Sequence, residues 1–345
     1  MTKAMSDRIK FFGFIMTCVI AVYHCFFYGE AVNSFDLRFN EAVDLTAEKI
    51  AFVAMCWFFS LSGFLLFRNL TIKNFGEKLK RRTFSLLLPY FIWQFGIEAV
   101  SIIMSALRHN LPDLKEELSY FVGSVFLMKE WPPDGALWYL YALFWLALLS
   151  PVLLLLFKNK KLGWCAVVAL TVLVYRLDYA DNFITQTVFS YGYLRNIISY
   201  FPAFLIGAFM GHFSESSDGT DKLKYLISLL LVSVVFEGLY PGIIMNSLVK
   251  ILPMLILYFM PVADVLKDRK IYCLSFLIYA VHKPLLYVKK LLMPVLSDII
   301  PYAFLANIML RIVFLAIVIA AAALIHFVLR KLSPKLLKAV TGGRA

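Results

Sequence analysis

Residues 11–28 read FFGFIMTCVIAVYHCFFY, an apolar run long enough to cross a bilayer and interrupted by a single ionisable side chain, His24. About 20 residues at ~1.5 Å rise each cross a hydrocarbon core ~30 Å thick. In lipid every backbone polar group needs an internal partner, so such a run has to be helical. It lacks a small-x-small cleavage pattern and further apolar runs follow, so it reads as a retained first helix and not as a signal peptide.

Composition extends that reading to the whole chain. Of the 345 residues 61% are hydrophobic and only 16% charged, more apolar surface than a soluble chain of this length can bury. The fold class expected is all-α: a polytopic transmembrane helical bundle forming one domain over residues 1–345, with spans over about 11–329 and a basic tail at 330–345. About ten segments qualify as spans. They are Phe11–Gly29, Ile50–Phe67, Phe84–Leu107, Ala136–Phe157, Leu162–Tyr175, Asn196–Phe213, Leu223–Leu239, Ile243–Val262, Ile271–Met293 and Ala303–Leu329. The fifth is short. Leu118–Met128 is too short to span and is expected on the membrane surface or re-entering it.

The net charge of +12 sits in short loops. Basic stretches (Lys3, Arg8 and Lys10; Arg68 to Arg82; Lys158 to Lys161; Lys267 to Lys270; Arg330 to Arg344) alternate with acidic ones at Glu30–Glu48 and Asp113–Asp134. All basic loops fall on one side if the span number is even, which puts both termini in the cytoplasm. Topology therefore accounts for the charge, and nucleic acid is not an expected partner. Cys18, Cys25, Cys56, Cys165 and Cys273 lie in apolar segments and read as small buried hydrophobes.

Ionisable residues inside a membrane are costly and are functional candidates by default. His24 lies ~21 Å into the core from the cytoplasmic start of its span. Glu98, Glu237, Lys250 and Arg311 fall in the outer half by the same topology, with His282 and Lys283 near the middle of the ninth span. Facing inward, they would form a polar cavity open to the outside. A lone intramembrane His is as often a helix–helix hydrogen-bond partner, but two at similar depth with carboxylates nearby favour chemistry. Glu98 and Lys250 also fit a structural ion pair. His109, His212 and His326 sit at span ends, where solvation explains them. No histidine pair has metal-ligand spacing, so no metal is expected, and neither a Gly-rich phosphate loop nor a Gly-x-Ser-x-Gly elbow occurs. The run Lys78-Leu-Lys-Arg-Arg82 reads either as topology signal and anionic-lipid contact or as a seat for phosphates, which Arg forks match bidentately.

Several blocks in order resemble the acyltransferase 3 membrane family, bacterial O-acyltransferases that modify cell-surface glycans. They are Arg8-Ile9 with Tyr23-His24, the WFFSLSGF block at 57–64, Lys80-Arg-Arg82 followed by LLPY at 87–90 and Trp93, and LWYL at 137–140 with LSP at 149–151. YFPAFLIG at 200–207 and SFLIYAVHKP at 275–284 complete the set. The resemblance implies acyl transfer from cytoplasmic acyl-CoA, usually acetyl-CoA or succinyl-CoA, to a sugar hydroxyl outside, in the bacterial cytoplasmic membrane. It implies that His24 is essential, as general base or as acyl carrier; His282 and Glu98 are further catalytic candidates from their place in the polar layer. The basic residues Arg68, Lys80, Arg81 and Arg82 would meet the CoA phosphates. Trp138, Tyr139, Glu237 and Arg311 are the candidates for binding the acceptor, a surface glycan or lipid-linked sugar, although packing explains Trp138 and Tyr139 as well. Membrane lipid and glycan-synthesis or export proteins are the other expected partners.

Four positions depart from the family pattern. Gly13 stands where an Arg is common eleven residues before the first-span His, Ser85 where a basic residue is common, Tyr141-Ala142 where an Arg-Asp pair can occur, and Lys283 where an acid often follows the second His. They leave room for an unusual donor or acceptor, or for an inactive relative. A transporter or flippase for a glycan or small solute is the rival from another class, since transporters are also polytopic with midplane charges. No internal repeat supports it.

Overall fold

The computed structural model describes residues 1–26, 31–109, 113–179, 194–214 and 219–344, and among these every regular element is helical. In chain order the α-helices are α1 Lys3–Tyr23, α2 Ser34–Phe67, α3 Phe75–Arg82, α4 Leu88–Leu107, α5 Leu114–Val125, α6 Trp138–Leu148, α7 Ser150–Leu156 and α8 Lys160–Tyr179. They continue as α9 Leu194–His212, α10 Gly219–Phe236, α11 Ile243–Phe259, α12 Ser275–Val281, α13 Leu286–Ile299, α14 Ala303–Leu332 and α15 Pro334–Thr341. The end of the first apolar run (residues 27–29) and residues 215–218 of the polar turn lie outside the described residues.

By length and apolarity alone, four helical stretches can cross a membrane: α2, Phe75–Leu107, α9 and α14. Two bent pairs bring the number to six: α6 with α7, bent by 52°, and Lys270–Val281 with α13, bent by 88°. The expected Ala136–Phe157 and Ile271–Met293 spans are therefore not continuous helices. A proline just past the first break, Pro151, and one within the second, Pro284, each remove a backbone donor and disfavour helix in the residue before.

Two compact units emerge. The first comprises Met1–Met55 and Pro261–Ala345, the second Cys56–Met260. In the first, α1 packs on α12 and α14, and α13 returns along α14. The first part of α2 belongs here and begins well before the expected span at Ile50, in what the sequence presents as an acidic loop. Its start is fixed by capping. The Asn33 side chain accepts from the Asp36 N–H (2.9 Å), and Asp36 accepts from the Val32 N–H (3.0 Å). The same buried carboxylate accepts from the N–H groups of Ala303 (2.9 Å) and Phe304 (3.0 Å) at the start of α14. One acid thus satisfies two orphan donors at the start of α14 and the N–H of Val32 just ahead of α2, at helix N-termini where negative charge is favoured.

In the second unit, the end of α2 meets α9 backbone to backbone. A Cβ built on Gly207 would lie 1.9 Å from the Ser60 carbonyl oxygen, and one on Gly211 would lie 2.3 Å from that of Phe64. Ser60 Oγ donates to the Ala203 carbonyl at 2.9 Å. Gly207-x-x-x-Gly211 is the small-residue spacing that lets membrane helices approach closely. A π-helical turn, Thr83–Leu87, joins α3 to α4. Pro89 follows it, and the wider turn accommodates a residue that cannot close an ordinary helical bond.

Candidate functional site

In the first unit, α1 ends where the N–H of His24 donates to the Ile20 carbonyl (3.3 Å), leaving the His24 ring beyond the last helical residue. The ring is half-buried and lies face to face with His282, ring centroids 5.2 Å apart and planes 23° from parallel. His282 is fully buried and closes α12 at the 88° break. Its Nδ1 lies 2.7 Å from the Tyr279 carbonyl, which can only accept, so the proton belongs on Nδ1 and the Nε2 lone pair is left available. That Nε2 is buried and has no hydrogen-bond partner among the described residues. A buried polar atom left unpaired costs free energy and is explained when a ligand completes it. Irregular backbone at membrane depth is tolerated where it lines a cavity or is covered by protein.

Arg311 of α14 holds the other side of the His24 turn. It donates from Nε to Asn307 Oδ1 (2.8 Å), from one terminal nitrogen to the Val22 carbonyl at the end of α1 (2.6 Å), and from the other to Asp44, with which it forms an ion pair. Asn307 Nδ2 lies 2.8 Å from both Asn40 and Asp44. The guanidinium also lies over the Phe26 ring, 5.6 Å from its centroid. The planar fork brings three separate nitrogens to an amide oxygen, a carbonyl and a carboxylate, whereas an ammonium has its three donors on one nitrogen. Arg311 is thus engaged within the protein, anchoring the backbone two residues before His24, and it is a positioning residue rather than an open contact for substrate.

Asp44, Asn40 and Asn307 were not candidates in the sequence. Their signal is spacing: Asp36, Asn40 and Asp44 recur every four residues on α2, as Ala303, Asn307 and Arg311 do on α14. Each set lies on one helical face, and the two faces meet in register.

The remaining candidates belong to the second unit. Glu98 of α4 lies beside Glu117 of α5, and its buried Oε1 has no hydrogen-bond partner among the described residues. Glu237 follows α10 instead of lying inside a span, because its carboxylate accepts from the N–H groups of Gly242 (2.7 Å) and Ile244 (3.0 Å) at the start of α11. It caps a helix, which corrects its expected place in the polar layer. Trp138 and Tyr139 are buried and form no open sugar platform. Trp138 faces Phe59 and Tyr200, and Tyr139 packs on Phe59 and donates to the Phe58 carbonyl at 3.1 Å. Of the basic residues, Lys78 caps the end of α2 by donating to the carbonyls of Leu66 (2.9 Å) and Arg68 (2.6 Å). Arg81 pairs with Glu77 at 2.6 Å and Arg82 reaches the Ser62 carbonyl at 3.5 Å. The Arg68 and Lys80 side chains have no partner among the described residues.

An all-helical chain with several membrane-length apolar helices, two of them broken, and a histidine pair at one break defines a membrane protein with an internal polar site. The chain belongs to the acyltransferase 3 family: the Acyl_transf_3 family model, described as an acyltransferase domain, matches residues 13–327. No curated protein and no solved structure matches the chain.

Proposed function

We propose that the protein is a multi-pass membrane O-acyltransferase that moves an acetyl or succinyl group from cytoplasmic acyl-CoA to a hydroxyl of an extracytoplasmic glycan. The observation that carries this reading is the His24–His282 pair, one member half-open and the other with an unpaired Nε2, in a chain of an acyltransferase family.

A sugar hydroxyl is a poor nucleophile at neutral pH. A neutral imidazole removes its proton as the oxygen attacks the thioester carbonyl. The C–O bond forms, the C–S bond breaks, His24 takes the hydroxyl proton, and the CoA thiolate leaves and is protonated. In the other route His24 attacks first and carries the acyl group to the acceptor. Both imidazoles sit at helix C-termini, whose partial negative charge stabilises the cation formed in either route. His282 offers its unpaired Nε2 to the acceptor hydroxyl and so orients it beside His24. Arg68 and Lys80, with no internal partner, fit the CoA phosphates better than Arg81 and Arg82.

The finer topology belongs to the same proposal: about ten crossings, completed by shorter helices such as α8, α10 and α11, with both termini on the basic, cytoplasmic side of a bacterial inner membrane. The acceptor would be an exopolysaccharide or lipid-linked glycan, and the partners glycan-synthesis or export proteins. The test supplies radiolabelled acetyl-CoA and succinyl-CoA to the cytoplasmic side of membranes with and without the protein, then measures label in surface glycan. Protein-dependent labelling is expected. The broken α12–α13 segment also suits a transporter, whose binding sites use discontinuous helices; glycan movement without covalent change would favour that reading.

A further inference from the structure

A second site lies in the first unit, between the end of α14, the returning helix α15 and the 3₁₀ turn Lys270–Leu274. Ser333 ends α14 in an extended conformation, and its side chain caps α15 by accepting from the Leu336 N–H at 3.2 Å. Pro334 occupies the first turn of α15, where its missing donor costs nothing. The chain therefore folds back and leaves a cavity of 960 Å³.

Its lining is divided by chemistry. Ala323, His326 and Arg330 share one face of α14 by their three- and four-residue spacing, and Leu337 and Lys338 come from α15. Leu274, Ala323 and Leu337 supply an apolar floor. Lys270, Arg330 and Lys338 supply three cations, and none has a carboxylate partner among the described residues. The acids of the adjacent loop are committed elsewhere: Asp268 pairs with Lys10 and Asp264 with Lys267. Cys273 Sγ and His326 Nε2 meet at 3.9 Å within the lining.

We propose that this cavity binds a phosphate-bearing amphiphile, its phosphate on Arg330, Lys338 and Lys270 and its apolar part on Leu274, Ala323 and Leu337. Three cations with no carboxylate partner among the described residues, beside an apolar floor, match a ligand with an anionic head and a hydrocarbon portion. Two sources share that chemistry, an anionic phospholipid and a long-chain acyl-CoA. Both are independent of the reaction proposed above, whose acetyl and succinyl donors lack the hydrocarbon portion.

The test measures binding to the purified full chain in nanodiscs or mixed micelles, so it needs no activity. The probes are a fluorescent phosphatidylglycerol and, separately, palmitoyl-CoA, each against phosphatidylcholine as the neutral reference. Arg330→Gln/Lys338→Gln is compared with Lys331→Gln/Lys335→Gln, which removes the same charge from residues outside the lining. Ala323→Trp fills the floor and keeps every cation. The first double variant is expected to weaken binding roughly tenfold or more, Ala323→Trp to weaken it as well, and the second double variant to leave it near wild type. Palmitoyl-CoA displacing phosphatidylglycerol identifies a site that also takes a long-chain acyl-CoA; phosphatidylglycerol binding without such competition identifies a lipid site. Equal loss in both double variants, unchanged binding in Ala323→Trp, or no preference of either anionic probe over phosphatidylcholine overturns the proposal.

Discussion

Gly207→Ala should be among the most damaging single-methyl changes in the second unit. The added Cβ would sit 1.9 Å from the Ser60 carbonyl oxygen and 2.6 Å from the carbonyl carbon, both backbone atoms that no rotamer change can move. Ordinary contact begins at 3.4 Å, so α2 and α9 would have to part by about 1.5 Å at this point. Overpacking of that kind costs about 1–3 kcal/mol. Separation also stretches the Ser60–Ala203 hydrogen bond from 2.9 Å, a further ~0.5–1.5 kcal/mol. Replacing a helical Gly by Ala returns ~1 kcal/mol of propensity, which leaves a net loss of about 0.5–3.5 kcal/mol. The assay is reversible unfolding in mixed micelles, or the thermal midpoint of the detergent-solubilised protein by fluorescence-detected size exclusion. Gly96→Ala is the control, because a Cβ there meets nothing within 4 Å, and it should melt at or above wild type. Ser60→Ala isolates the hydrogen bond and should account for the smaller part of the loss. If Gly207→Ala melts together with Gly96→Ala, the backbone-to-backbone approach is refuted.

Other outcomes follow from the same geometry. Arg311→Lys should fold but lose most acyl transfer, since an ammonium has its three donors on one nitrogen and cannot span Val22, Asn307 and Asp44; a fall in kcat with little change in KM is expected, and an unchanged kcat would remove its role in setting the His24 turn. Tyr139→Phe should lower the thermal midpoint by the loss of one hydrogen bond, about 1 kcal/mol, and leave acceptor KM unchanged; a raised KM would restore Tyr139 to the substrate site. The Lys10 ammonium beside Asp268 holds that loop carboxyl below its usual range. A carboxyl lowered on folding stabilises above its unfolded pKa and loses that contribution as pH falls through the lowered value. The stability difference between wild type and Asp268→Asn should therefore be present at neutral pH and vanish in acid. Both side chains are about half exposed, so salt should shrink it as well.

Much of the helical layout was legible because apolar runs of this length can fold in only one way in lipid. What the sequence hid was where polar residues spend their hydrogen bonds. Residues 34–49 read as a loop because they are charged, yet Asp36, Asn40 and Asp44 turn one face toward α14 and extend α2 by several turns. Arg311 and Glu237 were rightly singled out as costly, but each is satisfied internally, one as a clamp and the other as a cap. The buried Trp138 and Tyr139 show the same ambiguity, since an aromatic near a span end packs or binds with equal ease until its neighbours are known. Lys78 belongs to a basic run by composition and to the end of α2 by contact. The sequence singles out the two histidines as ionisable residues inside apolar runs. Their facing rings needed the 88° break, which Pro284 signals without giving its direction.

The most direct test of the central claim is acyl transfer in membranes that carry equal amounts of folded wild type, His24→Ala or His282→Ala. Radiolabelled acetyl-CoA and succinyl-CoA are supplied inside, and surface glycan is assayed outside. The expected result is label in glycan with the wild type, none with His24→Ala, and a large reduction with His282→Ala. Glycan labelling by His24→Ala at the wild-type rate would contradict the account.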